Sequence, residues 1–268
     1  MANECAYCRK TGKITREHLY PKFLYRRMGS GCLGYNEAAD KVTLGERKVT
    51  DVCASCNNGP LSALDGYGQR YFNANNLEHS FKDEAAVEVL YDYDLLLRWV
   101  LKISYNSFRT VDFSDNPFAS LVPYILTGKN RPKEKFVKLM IEIIRGYKLR
   151  ENDPVEDEFA KDGFIPCHIL RSGRVVTSFP GIPCHCRHFQ LNAHLFTLFL
   201  FPYSTRPMES ERAMRLFQQQ FPDAIILNPR TEKMLVRISS RDFMDIHDGV
   251  HVHPKERYRE MEYAARRR

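Results

Sequence analysis

The chain has 268 residues, of which 43% are hydrophobic and 27% charged, with a net charge of +7 and a pI near 8.9. This length holds one large domain or two ordinary ones, and the balance is that of a chain most of which folds. The mild basicity fits a polyanionic partner without demanding one. The most apolar run, Leu195 to Pro202, falls well short of the roughly 20 residues that span a bilayer. The N-terminus, MANECAYCRK, lacks the apolar core of a secretory signal. The expectation is a soluble cytoplasmic protein with no membrane contact and reduced cysteines.

In chain order, residues 1–80 are rich in Gly, Asn, Cys and charge and carry only short apolar runs. Such a segment buries little core and needs a staple. RKVTDV (47–52) reads as a short strand and residues 59–75 as a helix that Gly66 and Gly68 weaken. Past about residue 85 the character changes, giving a boundary near 80 between an N-terminal module (1–80) and a larger α+β domain (81–268). Residues 90–108 carry apolar side chains at helical spacing around Leu95, Trp99 and Ile103, which predicts a long buried helix. A second helix is expected over 117–126 with Pro117 in its first turn. FVKLMIEII (136–144) leans towards strand for its β-branched content. FIPCHIL, RVVTSF and HFQLNAHLFTLFLF read as β segments between turn residues. Residues 209–221 read as an amphipathic helix, IILN and MLVRIS as strands, and 253–268 as a charged helix or tail.

Two CxxC pairs, Cys5/Cys8 and Cys53/Cys56, carry the strongest chemical signal. A two-residue gap lets adjacent thiolates bind one zinc ion at about 2.3 Å. The 44 residues between the pairs (9–52) exceed a compact zinc ribbon, so the ion closes a long loop. A four-cysteine site has no open position and reads as structural, the alternatives being a redox pair or chance spacing. Nested in that loop is Glu17-His18, followed by Pro21, and Asn57 stands directly after Cys56. If zinc draws the pairs together, a carboxylate and an amide oxygen can converge on a hard divalent cation, with an imidazole alongside.

The pattern C-x-x-C, E-H-L-Y-P, C-x-x-C-N-N resembles the HNH endonucleases of the ββα-metal class, over roughly residues 5–72. The resemblance implies a zinc-stapled ββα-metal module within an α+β chain. It makes His18 the general base that takes a proton from the attacking water. It makes Glu17 and Asn57 the ligands of a catalytic Mg²⁺ or Mn²⁺, with Asn58 as the alternative to Asn57. Asn36 is the candidate for the family's middle Asn, or else a plain turn residue. Where the family often carries a Lys after the last motif, this chain has Gly59-Pro60-Leu61.

Residues 1–27 hold seven basic side chains against two acidic ones, so Arg16, Lys22, Arg26 and Arg27 are the expected contacts to nucleic acid, double-stranded DNA above all, the alternative being a solvated basic face. The implied activity is phosphodiester hydrolysis, in a layout shared with bacterial and phage-related defence nucleases. The rival expectation is a non-catalytic zinc-stapled module that binds nucleic acid or protein. Cys167-His168 and Cys184-His185-Cys186-Arg187-His188 read either as a second metal site or as reduced cysteines beside surface histidines. His247, His251 and His253 read as solvated loop histidines, and Arg266-Arg267-Arg268 as a nucleic-acid contact or a tail. For residues 81–268 the roles left open are target reading, sensing, homo-oligomerisation and partner binding.

Overall fold

A computed structural model describes residues 4–27, 33–36, 41–44, 46–82, 84–110, 116–149, 164–165, 167, 170–175 and 179–242. The fold is mixed α and β. An antiparallel pair, β1 (Ile14–His18) and β4 (Lys48–Cys53), opens it. Between them lie the short helix α1 (Lys22–Arg27) and a small hairpin, β2 (Leu33–Asn36) with β3 (Lys41–Leu44). β4 leads straight into a helical run: α2 (Ala54–Cys56), one wide turn over Asn57–Leu61 kinked at Gly59-Pro60, and α3 (Ser62–Ala74). The strand and helix expected here are present, the helix beginning at the second cysteine pair rather than after it.

The larger part is a seven-stranded sheet. β5 (Ala86–Leu90) forms one edge. The centre is built from β6 (Val137–Arg145), followed in the chain by a two-stranded ladder, β7 (Tyr147–Lys148) with β8 (Phe164–Ile165), that stands apart from the sheet. β9 (Leu170–Val175), β10 (His185–Leu191), β11 (His194–Leu200), β12 (Ile225–Ile226) and β13 (Lys233–Asp242) complete it in the order β5-β13-β6-β11-β10-β9, with β12 also on β6. All pairings are antiparallel except β13 on β6. HFQLNAHLFTLFLF is therefore two strands. Asn192, at φ 50°, turns the chain in the left-handed region that Asn tolerates better than most residues.

α4 (Tyr93–Phe108) is the buried helix that the apolar spacing predicts. Asp92 caps it by accepting a hydrogen bond from the Leu95 amide. It lies on one face of the sheet, where Trp99 meets Phe189 edge-on at 5.4 Å. α3 packs beside it, and Tyr71 of α3 also reaches His194 and Phe196 on β11. Gly68 is required, because a Cβ at that position would lie 2.3 Å from the Trp99 ring. The glycine that weakens α3 as a helix is what allows it to pack closely. α5 (Val122–Thr127) begins later than expected, with its proline at 123, and ends at Gly128 with φ 69°. α6 (Pro207–Gln220) covers the other sheet face through Ala213, Met214 and Phe217, whose ring meets Phe199 at 4.9 Å.

One core runs without a break from Cys5 and Leu19 through α3 and α4 to Ile238. It crosses the expected boundary near residue 80. No helix among the described residues is long and apolar enough to cross a membrane. The expected C-terminal helix, His168, His247, His251, His253 and Arg266–Arg268 lie outside the described residues.

Candidate metal centre and histidine site

The four N-terminal cysteines meet. The Sγ atoms of Cys5, Cys8, Cys53 and Cys56 all lie within 4.8 Å of one another, close enough for one tetrahedral ion. The chain folds locally to make this possible. The Cys5 amide donates to the Lys10 carbonyl, the Arg9 amide to the Cys5 carbonyl, and Arg9 takes φ 61° to close the turn. The Cys53 amide donates to Cys5 Sγ at 3.2 Å, joining the two pairs through the backbone. The Ser55 hydroxyl, 3.2 Å from Cys53 Sγ, draws that thiol down to about 6, while burial pushes Cys56 up. A thiolate beside three further sulfurs is a soft donor set suited to zinc. Among the described residues this is the only such cluster. Cys167 instead donates to the Asn192 carbonyl, and Cys186 packs in the apolar layer under α6; burial raises both thiols.

Glu17 and His18 are the last two residues of β1 and point to opposite sides, as strand alternation requires. Glu17 points inward and is 4% exposed. Its Oε1 lies 2.6 Å from Nζ of Lys102, a fully buried residue of α4, and the same ammonium donates to Asp65 Oδ1 on α3 at 2.6 Å. Burial alone would lower the Lys102 pKa; the Asp65 and Glu17 carboxylates outweigh it and leave it raised. Glu17 Oε1 is buried and, apart from this ion pair, without a hydrogen-bond partner among the described residues.

His18 points outward, its side chain 22% exposed, and Nε2 lies 3.0 Å from Glu46 Oε2. The His18 backbone carbonyl accepts from Asn106 Nδ2 on α4 at 3.2 Å, and Asn106 Oδ1 accepts from the Tyr7 hydroxyl at 2.7 Å. Tyr7 sits inside the first cysteine pair, so one buried amide ties the histidine to the metal centre. Beyond His18, Leu19 is buried, and Tyr20 bonds Ser172 on β9 and stacks on Phe189.

Asn57 is held across the strand pair. Its Nδ2 donates to Thr15 Oγ1 at 2.9 Å and to the Arg16 carbonyl at 3.2 Å. Thr15 Oγ1 itself donates to the Val52 carbonyl, so it accepts from Asn57, and the Asn57 amide oxygen is turned away from β1. Asn58 is exposed, which separates the two adjacent amides. Asn36 lies in β2 opposite Lys41; its side chain is outside the described residues. Arg16, Lys22 and Arg26 are exposed. Arg27 is engaged, pairing with Glu78 and Asn73 while its guanidinium covers the Phe72 ring at 4.7 Å.

Four residues around the site escape a reading of local motifs: Glu46, Asp65, Lys102 and Asn106. Lys102 did leave a signal, since a charge inside LLLRWVLKISY has no room on a helix buried all round unless it is paired. The chain matches no family model, no curated protein and no solved structure.

Proposed function

We propose that the protein is a metal-dependent HNH-type endonuclease that hydrolyses phosphodiester bonds of nucleic acid, double-stranded DNA in the first instance. The observation that carries this reading is the strand–strand–helix order of β1, β4 and the helical run. Glu17-His18 ends the first strand, and Asn57, early in the helical run, bonds back to that strand. Zinc on Cys5, Cys8, Cys53 and Cys56 holds the two ends of this unit together.

Glu17 Oε2 and Asn57 Oδ1 are oxygen donors whose partner atoms are fixed, Oε1 by Lys102 and Nδ2 by Thr15 and the Arg16 carbonyl. They suit a Mg²⁺ or Mn²⁺ ion that keeps several of its waters. When bound, such an ion stabilises the charge that builds on the scissile phosphate and its leaving oxygen. His18, held by Asn106 at its carbonyl and Glu46 at its ring, takes the proton of the attacking water, worth on the order of 100- to 10,000-fold in rate. Exposed Arg16, Lys22 and Arg26 supply contacts to the phosphate backbone. The part beyond residue 80 acts as scaffold to the site, since α4 contributes both Lys102 and Asn106.

One observation favours a second reading. The Glu17–Lys102 ion pair accounts for a buried carboxylate at 17 without any catalytic ion, as in a zinc-stapled module that only binds. Plasmid incubation with Mg²⁺ or Mn²⁺ decides between them. Cleavage by the wild type and none by His18→Ala at equal folded concentration supports the enzyme; equal behaviour of the two leaves the binding module.

A further inference from the structure

Glu46 sits just before β4, far in sequence from the histidine it touches, and the segment carrying it is fixed from several sides. The Arg47 amide donates to the Tyr25 hydroxyl at 3.1 Å, the Leu19 amide to the Arg47 carbonyl at 2.8 Å, and Arg47 Nη2 to Thr110 Oγ1 at 3.2 Å. Antiparallel pairing of His18 with Lys48 then brings the residue two before Lys48 to the imidazole. Glu46 Oε2 meets two donors, His18 Nε2 at 3.0 Å and Lys48 Nζ at 2.9 Å.

We infer that Glu46 is a positioning residue for His18, holding the imidazole in the Nε2-protonated tautomer and presenting Nδ1 outward as the proton acceptor. The inference rests on the nuclease reading for its purpose and on the geometry for its content. An ionised carboxylate only accepts hydrogen bonds, so the ring nitrogen facing it must donate. The Lys48 ammonium, then the His18 imidazole, hold the Glu46 carboxyl near 2. Nδ1 accepts no hydrogen bond among the described residues, and the ring is partly open to water. A carboxylate that fixes the tautomer and aim of a histidine base is the general logic of an oriented nucleophile–base pair. Here it adds a hold on the ring to the hold Asn106 has on the backbone.

The test uses the full-length protein labelled with ¹⁵N-histidine, at about pH 8, above the ordinary imidazole range. Of the nine histidines, His18 is identified by the signals missing in His18→Ala. The wild type should show His18 as the Nε2–H tautomer. Glu46→Ala should show a mixture of tautomers, with kcat for Mg²⁺-dependent plasmid cleavage lower by ~10- to 100-fold and KM unchanged. Glu46→Gln, whose amide can accept from Nε2–H or donate to an unprotonated Nε2, should no longer fix one tautomer, and kcat should fall with it. An Nδ1–H tautomer in the wild type, or a Glu46→Ala protein unchanged in both readouts, would overturn the inference. A wild type that cleaves nothing removes the nuclease reading, and the tautomer alone then decides whether Glu46 fixes the ring.

Discussion

Asn106 donates a hydrogen bond from Nδ2 to the backbone carbonyl of His18 at 3.2 Å, while its Oδ1 accepts from Tyr7. Asn106→Leu leaves a phenol and a carbonyl without this partner, at about 1–3 kcal/mol for each buried group left unsatisfied. Urea unfolding should show the loss of stability, and cleavage measured well below the melting temperature should also fall. A variant as stable as the wild type would mean that the amide is not a strut.

The Lys102 ammonium is buried between two carboxylates. Lys102→Met should cost about 3–5 kcal/mol, the usual result of breaking a buried pair from one side. Adding Glu17→Gln and Asp65→Asn should recover much of that loss. Because the folded pKa of Lys102 is raised, its contribution is complete below the unfolded value of about 10.4 and declines only as pH rises through the higher folded value. The stability gap between wild type and Lys102→Met should therefore stay flat from about pH 6 to pH 9. A gap that closes within that range would show the lysine losing its proton.

His194 is fully buried, its Nδ1 lies 2.7 Å from the Tyr71 hydroxyl, and burial pushes it down to about 3. A depressed folded pKa gives stability that is present above the unfolded value of about 6.5 and lost as pH falls towards 3. Between about pH 6.5 and pH 5 this one group should remove on the order of 2 kcal/mol. His194→Gln should flatten the slope of unfolding free energy over that interval. An equally steep slope in the variant would assign the acid sensitivity elsewhere.

Protein purified without chelator should carry one zinc per chain. Cys53→Ser should lose the metal and unfold the N-terminal part, since structural zinc contributes on the order of 10 kcal/mol or more in small domains. The loss should spread to α4, because Tyr7 and Cys5 share its core. Metal analysis that finds no zinc would end the claim.

Binding to duplex DNA should weaken with salt by about 0.9 log units per log salt for each phosphate neutralised. Arg26→Glu should flatten that slope with little effect on folding, because the side chain is exposed. Arg27→Glu should act differently. It removes the pairing with Glu78 and the cover over Phe72, so it should lower stability as well. A slope near zero in the wild type would point to a protein partner.

Much of this was legible in the sequence, for physical reasons. CxxC spacing constrains thiol positions strongly, and the four sulfurs do meet. The apolar period around Leu95, Trp99 and Ile103 gave α4, and β-branched content gave β6. The residues around the site that stayed hidden are those whose role depends on a partner far along the chain. Lys102 is explained only by Glu17 and Asp65, Asn106 only by Tyr7 and His18, and Glu46 only by the register of β1 on β4. Gly68 read as a weakness because helix propensity is local, whereas the closeness of Trp99 is not. The turn at Asn192 was hidden inside an apolar run whose two strands are both buried.

The unbroken core also bears on how the protein is made. Synthesis delivers residues 5–74 first, with Tyr71 lacking the Trp99, His194 and Phe196 rings that cover it. At that point Glu17 has no ammonium beside it and the His18 carbonyl has no amide. Tyr20 waits longer still, for Ser172 and Phe189. A chain still tethered to the ribosome before those segments emerge lacks the Asn106 and sheet-side supports of its histidine strand. The complete frame of the proposed site is thus a property of the nearly finished polypeptide, and apolar surface still open on the nascent N-terminal part is of the kind that makes partly made chains prone to aggregate.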